Sequence, residues 1–268
     1  MLACLPRTGW AQTPSPLQEW EYSGGVALAK LFEPDTPKWQ IETGLAVEPR
    51  PVYEGSKTYR TLLGPVIDVR YGDLAFAAVG EGLGVNVIRG ANYRAGIALG
   101  YDLGRDAKED LDRLKGLGNV SAAPTVKLFG SYVISKSLPL VIRADVRQNA
   151  GGADGAEGDI EAYLPLPGSS KTLAMFAGPS VTFADRLHMQ TLFGIDGNQA
   201  RASGYPNYQA HGGLESTGFG FSATSFVSKH WLINVSVAAN WLLGSAAESP
   251  ITQTHVQKVL VLSALYQW

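Results

Sequence analysis

The stretch Trp231–Trp241 reads WLINVSVAANW and places an apolar residue at every second position. Period-two alternation is typical of a β-strand with one apolar and one polar face. Ten residue steps at about 3.4 Å give roughly 34 Å, which a tilt of about 40° projects to roughly 26 Å. This height matches the apolar band of an outer-membrane barrel, about 25 Å tall between two aromatic girdles. Because the stretch also carries a tryptophan at each end, it predicts a membrane-spanning β-barrel.

The composition of the 268-residue chain agrees with this prediction and excludes several other classes of protein. Charged residues make up 17% of the chain, below the roughly 25% of soluble domains. No run of about 20 apolar residues predicts a transmembrane helix. The net charge of −2 and the lack of a basic cluster argue against nucleic acid as a partner. The single cysteine, Cys4, excludes an intramolecular disulfide. A large soluble β-sandwich has a similar composition and stays open at this point.

The chain before Trp39 lacks the alternating pattern of the predicted strands. Small residues at Gly9 and Ala11 are typical of a signal-peptidase cut after Ala11, although the leader lacks a basic start and a full apolar stretch. We interpret residues 1–11 as the remnant of a signal peptide, with a disordered tail as the alternative. The Pro-rich residues 12–38 are expected to be a flexible periplasmic segment, and residues 39–268 the barrel.

Alternating segments continue from Trp39 to the end of the chain, and we count twelve strands. Ten and fourteen are the competing counts, because single-chain bacterial barrels have an even number. The segment 74–88 contains three glycines and is either one bent strand or two. The predicted strands cover residues 39–48, 63–71, 74–88, 93–101, 120–133, 138–148, 159–166, 171–184, 187–195, 212–227, 231–242 and 253–268.

One segment, Gly104–Gly118, interrupts the pattern with the charged sequence GRDAKEDLDRLKGLG. We call it the connector. Leu111 and Leu114 have helical spacing, so the connector is a short surface helix or a solvated loop. Counting strands from a periplasmic start places it on the periplasmic side, where connections are usually short. Contact with a periplasmic partner would explain its length, but splitting the segment 74–88 would move the connector outside.

Charged side chains alternate with the apolar ones and are predicted to point into the barrel. Both signs occur in near balance, which favours a largely filled, narrow lumen, with a conducting channel as the alternative. The predicted lumen charges are Glu42, Asp68, Arg70, Arg94, Lys127, Arg143, Asp145, Arg147 and Glu161.

Aromatic residues at strand ends predict the two girdles and an assembly signal. The last strand ends on Trp268, as outer-membrane proteins typically end on an aromatic residue that the barrel-assembly machinery reads. Pairing of this strand with the first one would satisfy backbone groups that an open edge leaves bare in lipid. The predicted girdle and assembly residues are Trp39, Tyr101, Trp231, Trp241, Tyr266 and Trp268.

Motifs for catalysis and for cofactor or metal binding are missing from the sequence. No serine lies in a Gly-x-Ser-x-Gly setting. The four histidines are scattered, and none has a partner at metal-ligand spacing. His188 is expected to point inward from its strand and make a hydrogen bond, and His230 is interpreted as a turn residue. Gly218–Ala223 fits Gly-x-Gly-x-x-Ala, but no helical pattern follows, so its glycines are expected to relieve crowding inside the barrel. We therefore predict no catalytic, cofactor or metal residues.

Six segments resemble the MipA/OmpV family of outer-membrane proteins, which is named for a protein that interacts with the lytic transglycosylase MltA. Their order and spacing run through almost the whole mature chain. The Ser-Gly-Tyr and Glu-Ser-Pro-Ile sequences are the most specific parts, and the final Trp departs from the commoner Phe or Tyr. The segments are Gly82–Val85, Gly100–Arg105, Leu114–Gly118, Phe193–Ile195, Gln199–Tyr205 and Leu242–Ile251.

The resemblance implies a non-enzymatic barrel in the bacterial outer membrane. Some family members act as a scaffold between a murein hydrolase and a murein synthase, and others are linked to osmotic response, adhesion or antibiotics. The expected partners are therefore outer-membrane lipids, the barrel-assembly machinery, a lytic transglycosylase and a murein synthase. A narrow channel for small solutes is the alternative, and a lipid-acting barrel hydrolase is the third hypothesis, which the missing serine motif disfavours.

Overall fold

A computed structural model describes residues 38–135, 137–170 and 172–268. In this part of the chain, twelve antiparallel strands form a closed barrel in which each strand pairs with its sequence neighbours and β1 pairs with β12. The expected signal-peptide remnant and residues 12–37 of the expected periplasmic segment lie outside the described residues. The strands are β1 Trp39–Pro51, β2 Tyr59–Tyr71, β3 Ala75–Ala78, β4 Gly82–Arg89, β5 Tyr93–Asp102, β6 Ala123–Val133, β7 Val141–Asn149, β8 Gly155–Pro165, β9 Leu173–Ala184, β10 Gly213–Phe226, β11 Trp231–Leu242 and β12 Val256–Gln267.

The predicted count of twelve is confirmed, but two errors in the predicted strands cancel. The segment 74–88 forms two strands, β3 and β4, joined by a tight turn in which Gly80 and Gly82 have φ of 94° and 87°. Glycine tolerates this left-handed backbone at no steric cost. The predicted strand 187–195 is wrong, because Arg186–Phe193 is a helix. The side chain of Asp185 accepts a hydrogen bond from the backbone of His188 and begins that helix.

Side chains alternate between the two faces of the wall as the sequence predicts. Outward positions are apolar and exposed, as at Leu63 (68%) and Leu128 (59%), whereas the inward Lys127 is only 5% exposed. A soluble sandwich would bury its apolar face and expose its charges. The reversed arrangement is typical of a barrel that faces lipid. No helix within the described residues is long and apolar enough to cross a membrane.

The seam between β1 and β12 is paired over only half of its length. Glu42–Val47 of β1 pairs with Leu262–Gln267 of β12, and the ladder then stops. Two prolines follow, Pro49 and Pro51, and both lack the backbone N–H that would face β12. The Tyr59 hydroxyl oxygen accepts a hydrogen bond from the Lys258 backbone N–H at 3.0 Å across the gap. A groove of about 420 Å³, which Pro49 and Tyr59 help to line, opens beside it.

The connections divide the barrel into two distinct ends. At one end, short turns join each even-numbered strand to the odd-numbered strand that follows it. Lys38 and Trp268 also lie at this end, which we call the turn end. The long connections lie at the opposite, loop end and contain four helices: α1 Leu111–Leu114, α2 Arg186–Phe193, α3 Gly197–Ser203 and α4 Gly244–Ala247. The connector follows β5 and therefore lies at the loop end. The prediction that it shares an end with the chain's start is wrong, because the split of 74–88 adds a strand before it.

Candidate functional site

Buried apolar side chains lie inside the barrel near the turn end. Phe176, Val133 and Val141 belong to one buried cluster, and Leu232 and Leu265 belong to a second. Phe226 packs against both clusters and so joins them. These side chains project inward from different strands and form an apolar layer inside the barrel near this end.

A polar layer lies above the apolar one. The Asn234 side-chain amide donates hydrogen bonds to Ser222 Oγ at 3.0 Å and to Thr224 Oγ1 at 2.9 Å. Ser236 Oγ donates to Ser222 Oγ at 2.9 Å. Gly218 makes room in this wall, because a Cβ there would lie 2.1 Å from Asn240 Oδ1. Gly218 of the Gly-x-Gly-x-x-Ala stretch therefore relieves crowding inside the barrel.

The predicted lumen charges lie on the inward side of their strands and are largely paired. Arg70 contacts Asp68 at 2.9 Å and also Glu81 at 3.1 Å. Glu81, at the tip of the short β3–β4 hairpin, lies 3.9 Å from Arg143, and sequence reasoning missed it because it falls in a turn. Two further ion pairs join Arg94 to Asp73 at 2.5 Å and Arg147 to Asp145 at 3.4 Å. The ammonium nitrogen of Lys127 lies 5.9 Å from the centre of the Phe129 ring. Glu161 accepts a hydrogen bond from Tyr163, and Glu42 is buried.

The long connections fold together into a cap over the loop end, formed by residues 52–58, 103–122, 150–154, 185–212 and 243–255. One part of its core contains Met189, Leu192 and Phe193 of α2. The other part contains Leu114 of the connector, with Tyr53 and Ile251. Both parts contain residues from connections that are far apart in the sequence, so the cap is a packed layer and not a set of independent loops.

Hydrogen bonds fasten the connector into the cap. Buried Arg105 donates a hydrogen bond through Nη1 to the carbonyl of Leu192 at 2.8 Å, and burial lowers the pKa of its guanidinium to about 10. Gln199 Nε2 donates to the carbonyl of Leu117 at 2.7 Å. Arg60 of β2 contacts Glu109 at 2.5 Å. Within the connector Leu114 is buried and Leu111 is exposed, so the helical spacing noted in the sequence corresponds to a single helical turn.

Beneath the cap lies a buried group of side chains that we call the acid–imidazole cluster: Glu54, Glu157, His188 and Glu215. His188 Nε2 lies 3.7 Å from Glu157 Oε2. Ligand atoms of Glu157, His188 and Glu215 all lie within 4.8 Å of one another. The Glu54 carboxyl is within hydrogen-bonding reach of Glu215, and burial, with the negative charge of Glu157 as the next cause, raises the pKa of Glu54 to about 8.

Sequence reasoning missed this cluster for identifiable reasons. His188 lies on a helix and not on the predicted inward-facing strand. Glu157 fell between the predicted strands 138–148 and 159–166, but β8 begins at Gly155. Glu215 is the extra residue of a β-bulge, because the register of β10 against β9 shifts between Leu214 and Ser216. Strict alternation along β10 would point the Glu215 carboxylate at lipid. A charged residue at a position that should face lipid was therefore the sequence signal for the β-bulge.

The predicted girdle residues lie at the two rims and are mostly exposed. Trp231 packs edge-on against Tyr266 with ring centres 5.3 Å apart, and Tyr266 packs likewise against Trp268 at 5.0 Å. Trp268 also donates a hydrogen bond from its indole to Thr43 Oγ1 at 3.0 Å, which ties the last residue to β1. The other girdle residues are Trp39 at the turn end, beside Tyr71, and Tyr101 and Trp241 at the loop end.

A closed twelve-stranded barrel with an outward apolar face and aromatic rims defines an outer-membrane β-barrel protein. Residues 43–268 match the family model described as MltA-interacting protein MipA, and the chain belongs to this family. It is located in the bacterial outer membrane. The resemblance stated from the sequence is thereby confirmed.

Solved structures with a similar fold share little sequence with this chain. The NanC porin is 9% identical, with 84% of this chain and 100% of that chain covered and a TM-score of 0.44. The CymD monoaromatic hydrocarbon channel is 9% identical, covering 97% and 98%, with a TM-score of 0.47. The translocator domain of the autotransporter NalP from Neisseria meningitidis is 11% identical, covering 98% and 100%, with a TM-score of 0.43. No curated protein matches the chain significantly. We draw no functional conclusion from likenesses this distant.

Four of the six segments that carry the family resemblance meet in the cap. Leu114 and Leu117 of one segment share a buried cluster with Ile195 and Ile251 of two others. The hydrogen bond from Gln199 to the Leu117 carbonyl joins a fourth segment to them. The cap is therefore where the most distinctive parts of this sequence meet.

Proposed function

We propose that this barrel is a non-enzymatic anchor that binds a cell-wall enzyme of the lytic transglycosylase class in the periplasm. The observation that carries the proposal is the packing of side chains at both ends of the lumen, in the apolar layer around Phe226 and in the cap. Packing of this kind favours a barrel that functions through its rims and end surfaces. The family's own description, MltA-interacting protein, indicates the class of partner.

The turn end is the surface we assign to this partner. Short turns and chain ends usually face the periplasm in single-chain bacterial barrels, and the murein lies on that side. Exposed cations on the described part of the turn end are Lys38, Arg89 and Lys229. Opposite charge on a partner would steer it to this surface and fix its orientation. The sequence suggested the connector as the docking site, but the connector lies at the loop end. Our candidate docking site is therefore the turn end.

Two further contacts belong to the same proposal. The exposed apolar belt of the wall would contact outer-membrane lipids. Trp268, at the end of the closing strand, would be read by the barrel-assembly machinery. A murein synthase would be a second partner, which the experiment below can include as a further analyte.

Equilibrium binding to a purified lytic transglycosylase of the MltA class tests the proposal, with the full chain folded in detergent micelles. We expect saturable binding that weakens at least tenfold in the double variant Arg89→Glu/Lys229→Glu. The matched control is Lys108→Glu/Lys115→Glu, which makes the same charge change on exposed positions of the connector and should bind like the wild type. Absence of binding, or equal weakening in both variants, would contradict the docking assignment.

A further inference from the structure

The acid–imidazole cluster brings together metal-ligating side chains from three elements that are distant in the sequence. Glu157 comes from β8, His188 from α2 and Glu215 from β10. All three are buried, and one ligand atom of each lies within 4.8 Å of the other two. A tetrahedral ion holds ligand atoms at about 2.0–2.2 Å from itself and roughly 3.3–3.6 Å from one another, so small side-chain rotations would bring these three atoms onto a single ion.

Several polar atoms in the cluster have no hydrogen-bond partner within the described residues. They include Oε2 of Glu215 and Nδ1 of His188. The side chains of Glu215 and His188 are each only 2% exposed. Buried polar atoms are almost always satisfied in folded proteins, and a bound ion is one of the explanations for exceptions. Unsatisfied polar atoms on two of the three grouped side chains therefore indicate a bound group.

The charges around the cluster do not balance. Arg147 is shared among Asp145 at 3.4 Å, Glu157 at 3.5 Å and Asp159. Arg105 directs Nη1 to the carbonyl of Leu192 and not to a carboxylate. These two guanidinium groups thus accompany six carboxyl groups, since Glu54, Glu215 and Asp102 lie in the same region. A dry site with excess negative charge favours uptake of either protons or a cation.

The local backbone positions these side chains specifically. The β-bulge at Glu215 turns its carboxylate inward at a position where regular alternation would face it to lipid. Asp185 caps α2 through the His188 backbone N–H at 2.8 Å, and its other oxygen accepts from the Ala156 backbone N–H at 2.9 Å. The same residue therefore ties the histidine of α2 to the strand that carries Glu157.

We propose that Glu157, His188 and Glu215, with Glu54 as a fourth ligand, bind one divalent transition-metal ion of the zinc type beneath the cap. One imidazole nitrogen with carboxylate oxygens suits zinc or manganese better than calcium or magnesium, which prefer oxygen alone. Four protein ligands complete a tetrahedral zinc site and leave no open position, which is typical of a structural site. The ion would fasten α2 and the 52–58 loop to the barrel wall.

Zinc binding by the full chain in detergent, freed of metal with a chelator, tests this proposal. Isothermal titration should give one zinc per chain, with affinity falling at least 100-fold in Glu215→Gln and in His188→Gln. The control Glu48→Gln changes a buried carboxyl at the same end that is paired with Arg50 at 3.3 Å, and it should bind zinc within about threefold of the wild type. Heat-modifiable gel migration verifies that each variant is folded.

Cobalt substitution and hydrogen exchange supply readouts that remain valid if a variant does not fold. Cobalt bound to the wild type should give visible d–d absorption of a tetrahedral site. Zinc should slow amide exchange in α2 and at the Glu215 bulge by at least tenfold, with no change in the turn between β10 and β11. Absence of stoichiometric zinc, zinc binding that survives both ligand substitutions, or unchanged exchange would overturn the proposal and leave protons as the balancing charge.

Discussion

Replacing Leu192 by alanine should loosen the cap while leaving the barrel wall folded. Leu192 is 2% exposed and packs in the core with Met189 and Phe193. Truncating a buried leucine to alanine costs about 3 kcal/mol, within the 2–5 kcal/mol range for such changes. The substitution leaves the Leu192 carbonyl in place to accept the hydrogen bond from Arg105, so lost packing is the main effect. At about 1.36 kcal/mol per decade, 3 kcal/mol raises the population of the opened cap roughly 150-fold.

The same change at Leu187 is the matched control, because this residue lies on the same helix and is 51% exposed. A surface substitution of this kind usually changes stability by no more than about 0.5 kcal/mol. Amide hydrogen exchange of the detergent-folded protein measures both variants, since local opening sets the exchange rate of a protected amide. We expect exchange to accelerate in α2 and in the connector only for Leu192→Ala. Equal acceleration in the two variants, or a change confined to α2, would refute the packed cap.

Three further predictions concern the seam, the connector and the orientation of the barrel. Trp268→Glu should lower the amount of heat-modifiable protein in the outer membrane, whereas Thr43→Val, which loses only the indole hydrogen bond, should not; unchanged levels for Trp268→Glu would make the terminal residue incidental. Gly116→Ala should increase protease cleavage of the connector, because a Cβ would lie 2.5 Å from the Ala202 carbonyl carbon. At Gly118 the backbone has a similar φ but an added Cβ would meet no atom, so Gly118→Ala should increase cleavage less. A larger increase for Gly118→Ala than for Gly116→Ala would contradict the close approach of Gly116 to Ala202. A cysteine at exposed Lys108, in a Cys4→Ser background, should react with an impermeant maleimide on intact cells, and the opposite result would place the loop end in the periplasm.

The strands of the wall were predictable because their environment is uniform. Lipid outside and packed polar groups inside impose the same period of two on every segment, so a stretch such as Trp231–Trp241 defines both its conformation and its faces. The closing strand was predictable for the same reason. The end of the β1–β12 ladder is also visible in retrospect in the sequence, since Pro49 and Pro51 cannot donate to a neighbouring strand.

The cap was not predictable from alternation, because its residues pack against one another and not against lipid. The segment imitates the start of a strand, because Leu187 and Met189 alternate with the polar Arg186, His188 and Gln190. In the structure the buried residues of this segment are His188, Met189, Leu192 and Phe193, which is helical spacing. The N-capping residue Asp185 was the local signal that distinguishes the two.

The acid–imidazole cluster lay beyond sequence reasoning because its members come from four separate connections or strands. Metal-ligand motifs are recognised by short spacings, whereas Glu54 and Glu215 meet only when the barrel closes. The bulge at Glu215 shifts a single residue, and no pattern of apolar residues marks it. Charge at a lipid-facing position is the feature that a sequence search for such bulges would use.

The closure of the lumen is tested most directly by conductance of the full chain in a planar lipid bilayer, with an open porin measured in the same chamber as a control. The apolar layer around Phe226 and the cap over the loop end predict no discrete current steps above the bilayer baseline across the range in which the porin conducts. Reproducible ohmic current steps of uniform size would contradict a closed lumen and would favour the channel for small solutes instead.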